Sequence, residues 1–219
     1  MAAYDAGNPS WGGRRGPPPP VAALPPATAS SRGFPMVNGL LFVCHANLCR
    51  SPMAEYAARR LLAGQPVSVS SAGTDALEGG TMHPYAAEIA AETGEDPATF
   101  RTRRLAPEHL TSAALVLTAT RRQRSICTAL APAALHHTFT LRQFGRLAAA
   151  VEPPTEALDD SLAAAVAAAS LARGRLQPAP ANDDDLRDPV GGTRADFRRC
   201  AEEIDRSLRP LATLIAAAG

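Results

Sequence analysis

Lysine is absent from the sequence. All 22 strongly basic residues are arginine, set against 21 acidic ones, for a formal net charge of +1. A chain so balanced has no basic footprint for a nucleic-acid backbone or an anionic membrane, so neither is expected as a partner. Long apolar runs are missing too: no stretch approaches the about 20 residues that a membrane-spanning helix needs. The N-terminus lacks the basic start and apolar stretch of a secretory signal, and none is expected. There are four cysteines, two of them in one short stretch, which does not make a disulfide framework. A reactive thiol needs a reducing compartment, so the cytoplasm is the expected location.

The 219 residues, 46% of them hydrophobic, suffice for one well-packed domain with an extension. Residues 1–37 are rich in proline, glycine and alanine around Pro17-Pro18-Pro19-Pro20. Such a segment buries too little surface to fold and is expected to be a disordered or polyproline-like tail. A proline-binding domain is a candidate partner for it, although a bland solvated tail is the commoner case. Residues 38–219 are expected to form the folded domain.

The stretch from Leu40 to Pro52 organises that domain. Leu40-Leu41-Phe42-Val43 is a short apolar run, followed by the small or polar loop Cys44-His45-Ala46-Asn47-Leu48-Cys49-Arg50-Ser51. Pro52 suits a first helical turn, and Met53, Ala57 and Leu61 give an apolar face at helical spacing. The order is strand, tight loop, helix. The first N–H groups of a helix lack internal partners and carry partial positive charge. A loop wrapped over them turns further N–H groups inward as an anion nest. A thiol at the centre of such a nest ionises readily, and Arg50 on its rim offers a planar fork matched to two oxyanion oxygens. Read singly, these residues mean less. A Cys at a strand end is usually a small hydrophobe. Cys44, His45 and Cys49 also lack the four spaced ligands of a structural metal site.

Taken together they resemble the phosphate loop of the low-molecular-weight protein tyrosine phosphatases, written Cys-x-Gly-Asn-x-Cys-Arg-Ser-Pro. The match falls on Cys44, Asn47, Cys49, Arg50, Ser51 and Pro52, with Ala46 in place of the glycine. The resemblance implies a three-layer α/β/α sandwich on a four-stranded parallel sheet. It implies a cysteinyl-phosphate mechanism on phosphotyrosine-containing proteins, with no metal or cofactor. Cys44 would be the nucleophile. Arg50 and the loop His45, Ala46, Asn47, Leu48, Cys49 and Ser51 would hold the phosphate, and Ser51 would help the sulfur leave. In the family the two loop cysteines, here Cys44 and Cys49, can close as a reversible disulfide under peroxide.

The remaining chain alternates strand-like and helix-like stretches, as an α/β fold with a parallel sheet requires. Val67 to Thr74 reads as a second strand, Pro84 to Gly94 as a helix, and Ala106 to Leu110 as the start of another. Ala114 to Thr120 reads as a third strand, Arg121 to Leu130 as a helix, and His136 to Leu141 as a fourth strand or strand-like run. On a strand His136 and His137 would face opposite sides, which argues against a shared metal. Leu158 to Arg173 and Thr193 to Ala217 read as helices, and Pro210 is expected to kink or interrupt the second. Its buried side is expected at Phe197, Ile204, Leu208, Leu211 and Ile215.

Several further positions carry the resemblance. Ser71, in Ser-Ala-Gly-Thr, and Arg103 match family residues that support the loop through its asparagine. Phe100 stands where the family often has a histidine in that network, so the network here must be rewired. Ala114 stands where the family usually has Asp. Composition alone makes the acidic run Asp183-Asp184-Asp185-Leu186-Arg187-Asp188-Pro189 a solvated turn. The Asp188-Pro189 pair resembles the general-acid loop, making Asp188 the expected acid and Asp185 the fallback.

Three rivals follow from the departures. Protein arginine phosphatases share glycine in the acid loop, as at Gly191 and Gly192, but have a small Thr where this chain has Leu48. Arsenate reductases of the same fold need two further cysteines close together, and Cys127 and Cys200 are isolated in sequence. The changes at Ala46, Phe100 and Ala114 suit a phosphate-binding regulator with weak catalysis.

Overall fold

The computed structural model of the chain describes residues 39–153, 160–177 and 179–218. The proline-rich tail and the first residues of the helix expected from Leu158 lie outside these. Strand β1 (Gly39–Cys44) leads into α1 (Arg50–Leu61), β2 (Ser68–Gly73), α2 (Pro84–Ala91), α3 (Pro107–Ser112), β3 (Leu115–Thr118) and α4 (Arg121–Leu130). There follow β4 (Thr138–Thr140), α5 (Leu141–Ala149), α6 (Ser161–Arg173) and α7 (Arg194–Ala218). The four strands lie parallel in the order β2-β1-β3-β4.

Side-chain alternation explains the layering. Along β1, Leu40 and Phe42 enter one buried cluster with Met53, Tyr56, Phe144, Phe197 and Ile204. Leu41 and Val43 enter a second cluster with Leu110, Val116 and Cys127. Successive strand residues point to opposite faces, so a continuously apolar strand calls for helices on both sides. Helices α1, α5, α6 and α7 cover one face and α3 and α4 the other. This is the three-layer sandwich on a four-stranded parallel sheet. Each buried Leu or Phe contributes about 1.5–3 kcal/mol relative to exposure. The face of α7 expected from sequence, from Phe197 to Ile215, is the buried one.

Three expectations need correction. His136 and His137 are not on a strand; they end a 3₁₀ turn, Pro132–His137, that delivers the chain to a three-residue β4. Leu141 is not a strand residue either but opens α5, a helix the sequence reading did not anticipate. Thr140 is the cap, its hydroxyl accepting the Gln143 N–H at 3.2 Å. Pro210 does not interrupt α7, which runs unbroken from Arg194 to Ala218. The ring removes one N–H from the helix ladder, but Leu208 and Leu211 on either side of it are buried in the same cluster. Packing outweighs the missing bond.

Helix α5 approaches α7 closely at Gly145. A Cβ built there would stand 2.6 Å from the carbonyl oxygen of Ser207 and 3.0 Å from its Cα. Helix propensity alone would make Gly145→Ala stabilising by about 1 kcal/mol. The contact reverses the sign, and the variant is expected to lose about 1–3 kcal/mol, read from the denaturant midpoint. A midpoint at or above that of the parent chain would show that the two helices are free to separate.

Candidate active site

Between the end of β1 and the start of α1 five residues turn the chain over the helix N-terminus. Helix α1 has no side-chain cap and no acidic residue in its first turn. The Met53 N–H bonds back to the Cys49 carbonyl at 3.0 Å, and the N–H groups ahead of it have no intrahelical acceptor. An uncapped helix start under a loop of further amides is an anion site made of main chain.

Asn47 fixes the loop's shape. Among the described residues it is the one non-glycine with positive φ, at 56°, a conformation asparagine tolerates better than most. Its side chain is fully buried. Nδ2 donates to Ser51 Oγ at 2.9 Å and to Ser71 Oγ at 2.8 Å, and Oδ1 accepts the Arg103 main-chain N–H at 2.8 Å. The Arg103 guanidinium donates to the Ser71 carbonyl at 2.8 and 3.2 Å. Both support residues read from sequence therefore meet at Asn47, Arg103 through its backbone. Phe100, expected to force a rewiring, is 8% exposed and sits in the core, and the Asn47 oxygen takes its hydrogen bond from main chain.

Glu55 belongs to the same network and was missed from sequence. It is 5% exposed, hydrogen-bonds Ser71, and pairs with Arg59 one turn along α1. Burial pushes its pKa up, while Ser71 and Arg59 pull it back. The available signal was an acidic residue set among Met53, Ala54, Tyr56 and Ala58 on a helix.

Gly73 was also missed. A Cβ there would stand 2.5 Å from the His45 carbonyl oxygen and 2.7 Å from the Asn47 nitrogen. Its neighbours bind the loop directly: the Thr74 N–H donates to the Cys44 carbonyl and the Asp75 N–H to the His45 carbonyl, each at 3.0 Å. On the other side the His83 N–H donates to the Leu48 carbonyl at 3.0 Å, and the His83 ring stacks on Phe197 at 4.5 Å.

Cys44 lies at the floor, 2% exposed, with its Sγ 3.0 Å from Ser51 Oγ. Arg50 closes the cup. Its side chain is 7% exposed; one terminal nitrogen donates to the Leu186 carbonyl at 3.3 Å and the other pairs with the Asp188 carboxylate. Asp188 is half-exposed and also accepts the Val190 N–H at 3.2 Å. Asp185 lies elsewhere. Its carboxylate accepts the Arg121 N–H at 2.7 Å and caps α4. The His45 side chain turns outward to Asp75 (3.1 Å), leaving its main chain to the loop. Ala46 needs no glycine-only conformation, since its φ is not positive.

The other thiols are quiet. Burial holds Cys49, Cys127 and Cys200 at a pKa of about 12, with the Cys44 sulfur adding to the effect at Cys49. Cys127 and Cys200 sit in the clusters on opposite faces of the sheet, so they do not make the close pair that an arsenate reductase needs. Among the described residues no group of three or more His, Cys, Asp or Glu side chains is placed to hold a metal. The arrangement is a cup of amides and a guanidinium above a thiol, shaped for a tetrahedral oxyanion.

Comparison with known proteins agrees with that chemistry. Residues 39–168 match the family model described as low molecular weight phosphotyrosine protein phosphatase; the match ends before Asp188. A relative from Ralstonia solanacearum, described as a probable low molecular weight protein-tyrosine-phosphatase EpsP, is 42% identical over 82 residues, covering 37% of this chain and 55% of the relative. The chain thus spans little more than half the length of that relative. A protein-arginine-phosphatase from Geobacillus stearothermophilus is 39% identical over 106 residues, 48% of this chain and 70% of that one. The solved YwlE arginine phosphatase from Geobacillus stearothermophilus superposes with a TM-score of 0.58 at 28% identity, covering 80% of this chain and 90% of that structure. With its sheet order, its loop and more than half its length in the matched region, the chain belongs to the low molecular weight phosphotyrosine protein phosphatase family.

Proposed function

We propose that the protein is a phosphomonoesterase of the protein-tyrosine-phosphatase type, working through a cysteinyl-phosphate. The observation that carries the reading is the convergence of Cys44, Ser51, Arg50 and Asp188 around one uncapped helix start. A phosphomonoester dianion enters the cup, competes with Asp188 for Arg50, and takes the main-chain N–H groups of His45 to Ser51. Asp188, freed from its ion pair, carries a proton. The Cys44 thiolate attacks phosphorus in line, the S–P bond forms, and the P–O bond to the leaving group breaks as Asp188 protonates that oxygen. The transition state is loose, so positioning and charge stabilisation by amides and Arg50 supply most of the acceleration. Water then attacks phosphorus, giving its proton to Asp188, and the sulfur leaves as a thiolate stabilised by the Ser51 hydroxyl.

The substrates are phosphoproteins, and phosphotyrosine is the favoured residue. Leu48 supports this preference. It packs against the core beside the cup, and its carbonyl is pinned by His83. In the proposed complex this aliphatic side chain stands beside the group attached to phosphorus. Phosphoarginine is the second reading, because an arginine phosphatase is among the relatives and Val190, Gly191 and Gly192 put no aromatic wall beside Asp188. Four free, buried cysteines, one of them the proposed nucleophile, suit a reducing compartment, so the cytoplasm is the proposed location. Among the described residues no helix is long and apolar enough to cross a membrane.

Three measurements test this. Cys44→Ser is expected to abolish turnover of p-nitrophenyl phosphate while retaining phosphate binding by calorimetry; full residual activity would remove the thiol from the mechanism. Asp188→Ala is expected to lower kcat by about 10²–10⁴-fold, most for esters with poor leaving groups such as phenyl phosphate, and an unchanged rate on those would move the acid elsewhere. In a panel of phosphotyrosine, phosphoserine, phosphothreonine and phosphoarginine peptides, kcat/KM is expected to be highest for phosphotyrosine. A higher value for phosphoarginine would replace the first reading by the second.

A further inference from the structure

The acidic run before the acid reads from sequence as a solvated turn, but in the fold it is gripped. Asp184 is 7% exposed. Arg146 of α5 pairs with the Asp184 carboxylate and donates to the Asp183 carbonyl at 3.1 Å. One turn earlier, Arg142 donates to the Asp185 carbonyl at 3.0 Å, while its Nε meets Glu203 of α7 at 2.8 Å. The Asp185 carboxylate caps α4 at the Arg121 N–H, and the Leu186 N–H donates to the Ala119 carbonyl at the end of β3 at 2.8 Å. Residues 183–186 are thus tied to α5, α4 and β3.

The far side is tied as well. Gly192 N–H donates to the Pro189 carbonyl at 2.9 Å, and Thr193 bonds the Asp196 carboxylate through its N–H at 2.7 Å and its hydroxyl at 2.6 Å. The five residues from Arg187 to Gly191 span the gap, and the Gly192 bond closes a turn over the last of them. With Leu186 fixed and proline limiting the backbone on the other side, the direction of the Asp188 carboxyl follows from where the run 183–186 is held.

We propose that Arg142 and Arg146 are positioning residues that aim Asp188 at the leaving oxygen; the inference rests on the reading of Asp188 as the general acid. Neither arginine reaches the cup. Both side chains are partly exposed, Arg142 30% and Arg146 42%, so as ion pairs they add little to stability. Their value lies in the main-chain carbonyls they hold. Each guanidinium grips a carbonyl of the acid run with one nitrogen and a carboxylate with another, a two-point hold that a single ammonium cannot reproduce. Proton transfer needs the carboxyl within hydrogen-bond reach of the leaving oxygen. A displacement of about 1 Å from outside the reacting centre can cost on the order of 10²-fold.

The signature is dependence on the leaving group. A nitrophenolate leaves with little help, whereas phenolate needs the proton. Arg142→Gln and Arg146→Gln, singly and together, are compared on phenyl phosphate and p-nitrophenyl phosphate by kcat/KM, which reports the first chemical step. The double variant is expected to lose about tenfold or more on phenyl phosphate and no more than about threefold on p-nitrophenyl phosphate. Arg142→Lys and Arg146→Lys are expected to recover only part of the loss. Losses in equal proportion on both esters, or none on either, would overturn the proposal, since a merely structural role scales both alike. A repeat in an Asp188→Asn background separates the two claims. If Asp188→Asn itself shows the leaving-group-selective loss, the acid stands, and the arginine changes are expected to add nothing on top of it. If Asp188→Asn shows no such loss, the acid assignment fails first and takes this inference with it.

Discussion

The buried amide of Asn47 is the interaction on which the site depends. It holds one residue of the loop in the left-handed region and spends both donors and its acceptor within the protein. A made hydrogen bond of this kind is worth about 0.5–1.5 kcal/mol net, but a buried polar atom left unpaired costs about 1–3 kcal/mol. The three bonds therefore act less as a store of stability than as a penalty on every other loop conformation. Inverting the loop at Asn47 turns its amides toward the helix start and leaves the Cys44 sulfur beneath them. The partners come from α1, β2 and the segment before α3, so the nest is braced from three separate parts of the chain.

The same network shows how a charged group can be carried inside. Glu55 is buried beside Ser71, and with the Ser71 hydroxyl turned toward it, the serine oxygen is left as the acceptor for Asn47. Arg59 faces Glu55 and also Glu95, the latter at 3.0 Å, and lies 5.2 Å from the Tyr56 ring. Because the folded pKa of Glu55 is raised, the folded chain binds its proton more readily than the unfolded chain does. Stability from this group therefore falls as pH rises from the unfolded value through the folded one. The fold tolerates that cost where the carboxylate orders the hydroxyl that orders the loop.

How much of this was legible in the sequence follows from the range of each interaction. The β1–loop–α1 unit is contiguous, so its apolar run, its asparagine, its Arg-Ser-Pro and its helical face are all visible between Gly39 and Leu61. Helix α5 was hidden because it begins on the residue after β4 with no loop between them. Thr138-Phe139-Thr140 is β-branched and aromatic, and Gly145 interrupts the helical pattern of Leu141, Phe144 and Leu147. Only its contact with α7 gives Gly145 a reason to be there. Arg142 and Arg146 meet Asp183–Asp185 across about forty positions of chain. No spacing rule reaches that far, so an acidic run looked solvated that in the fold is pinned.

The departures from the family pattern bear on whether the chain is a catalyst or only a phosphate binder, and the fold shows what each one costs. At Ala46 the loop uses main-chain N–H groups, and its φ does not require glycine, so a methyl group leaves the nest intact. At Phe100 the acceptor of Asn47 is served by the Arg103 main-chain N–H, a donor that does not depend on the side chain at position 100. At Ala114 the N–H bonds to the Gly39 carbonyl, which places it beside the start of β1, at the opposite end of the strand from Cys44. An aspartate lost there is lost from the end of the strands away from the loop. The changes that weigh against catalysis by count thus fall where the backbone does the work or where no substrate reaches. The groups that cannot be replaced by backbone, the thiol of Cys44, the fork of Arg50 and the carboxyl of Asp188, are all present, the thiol beside Ser51 and the fork paired with the carboxyl.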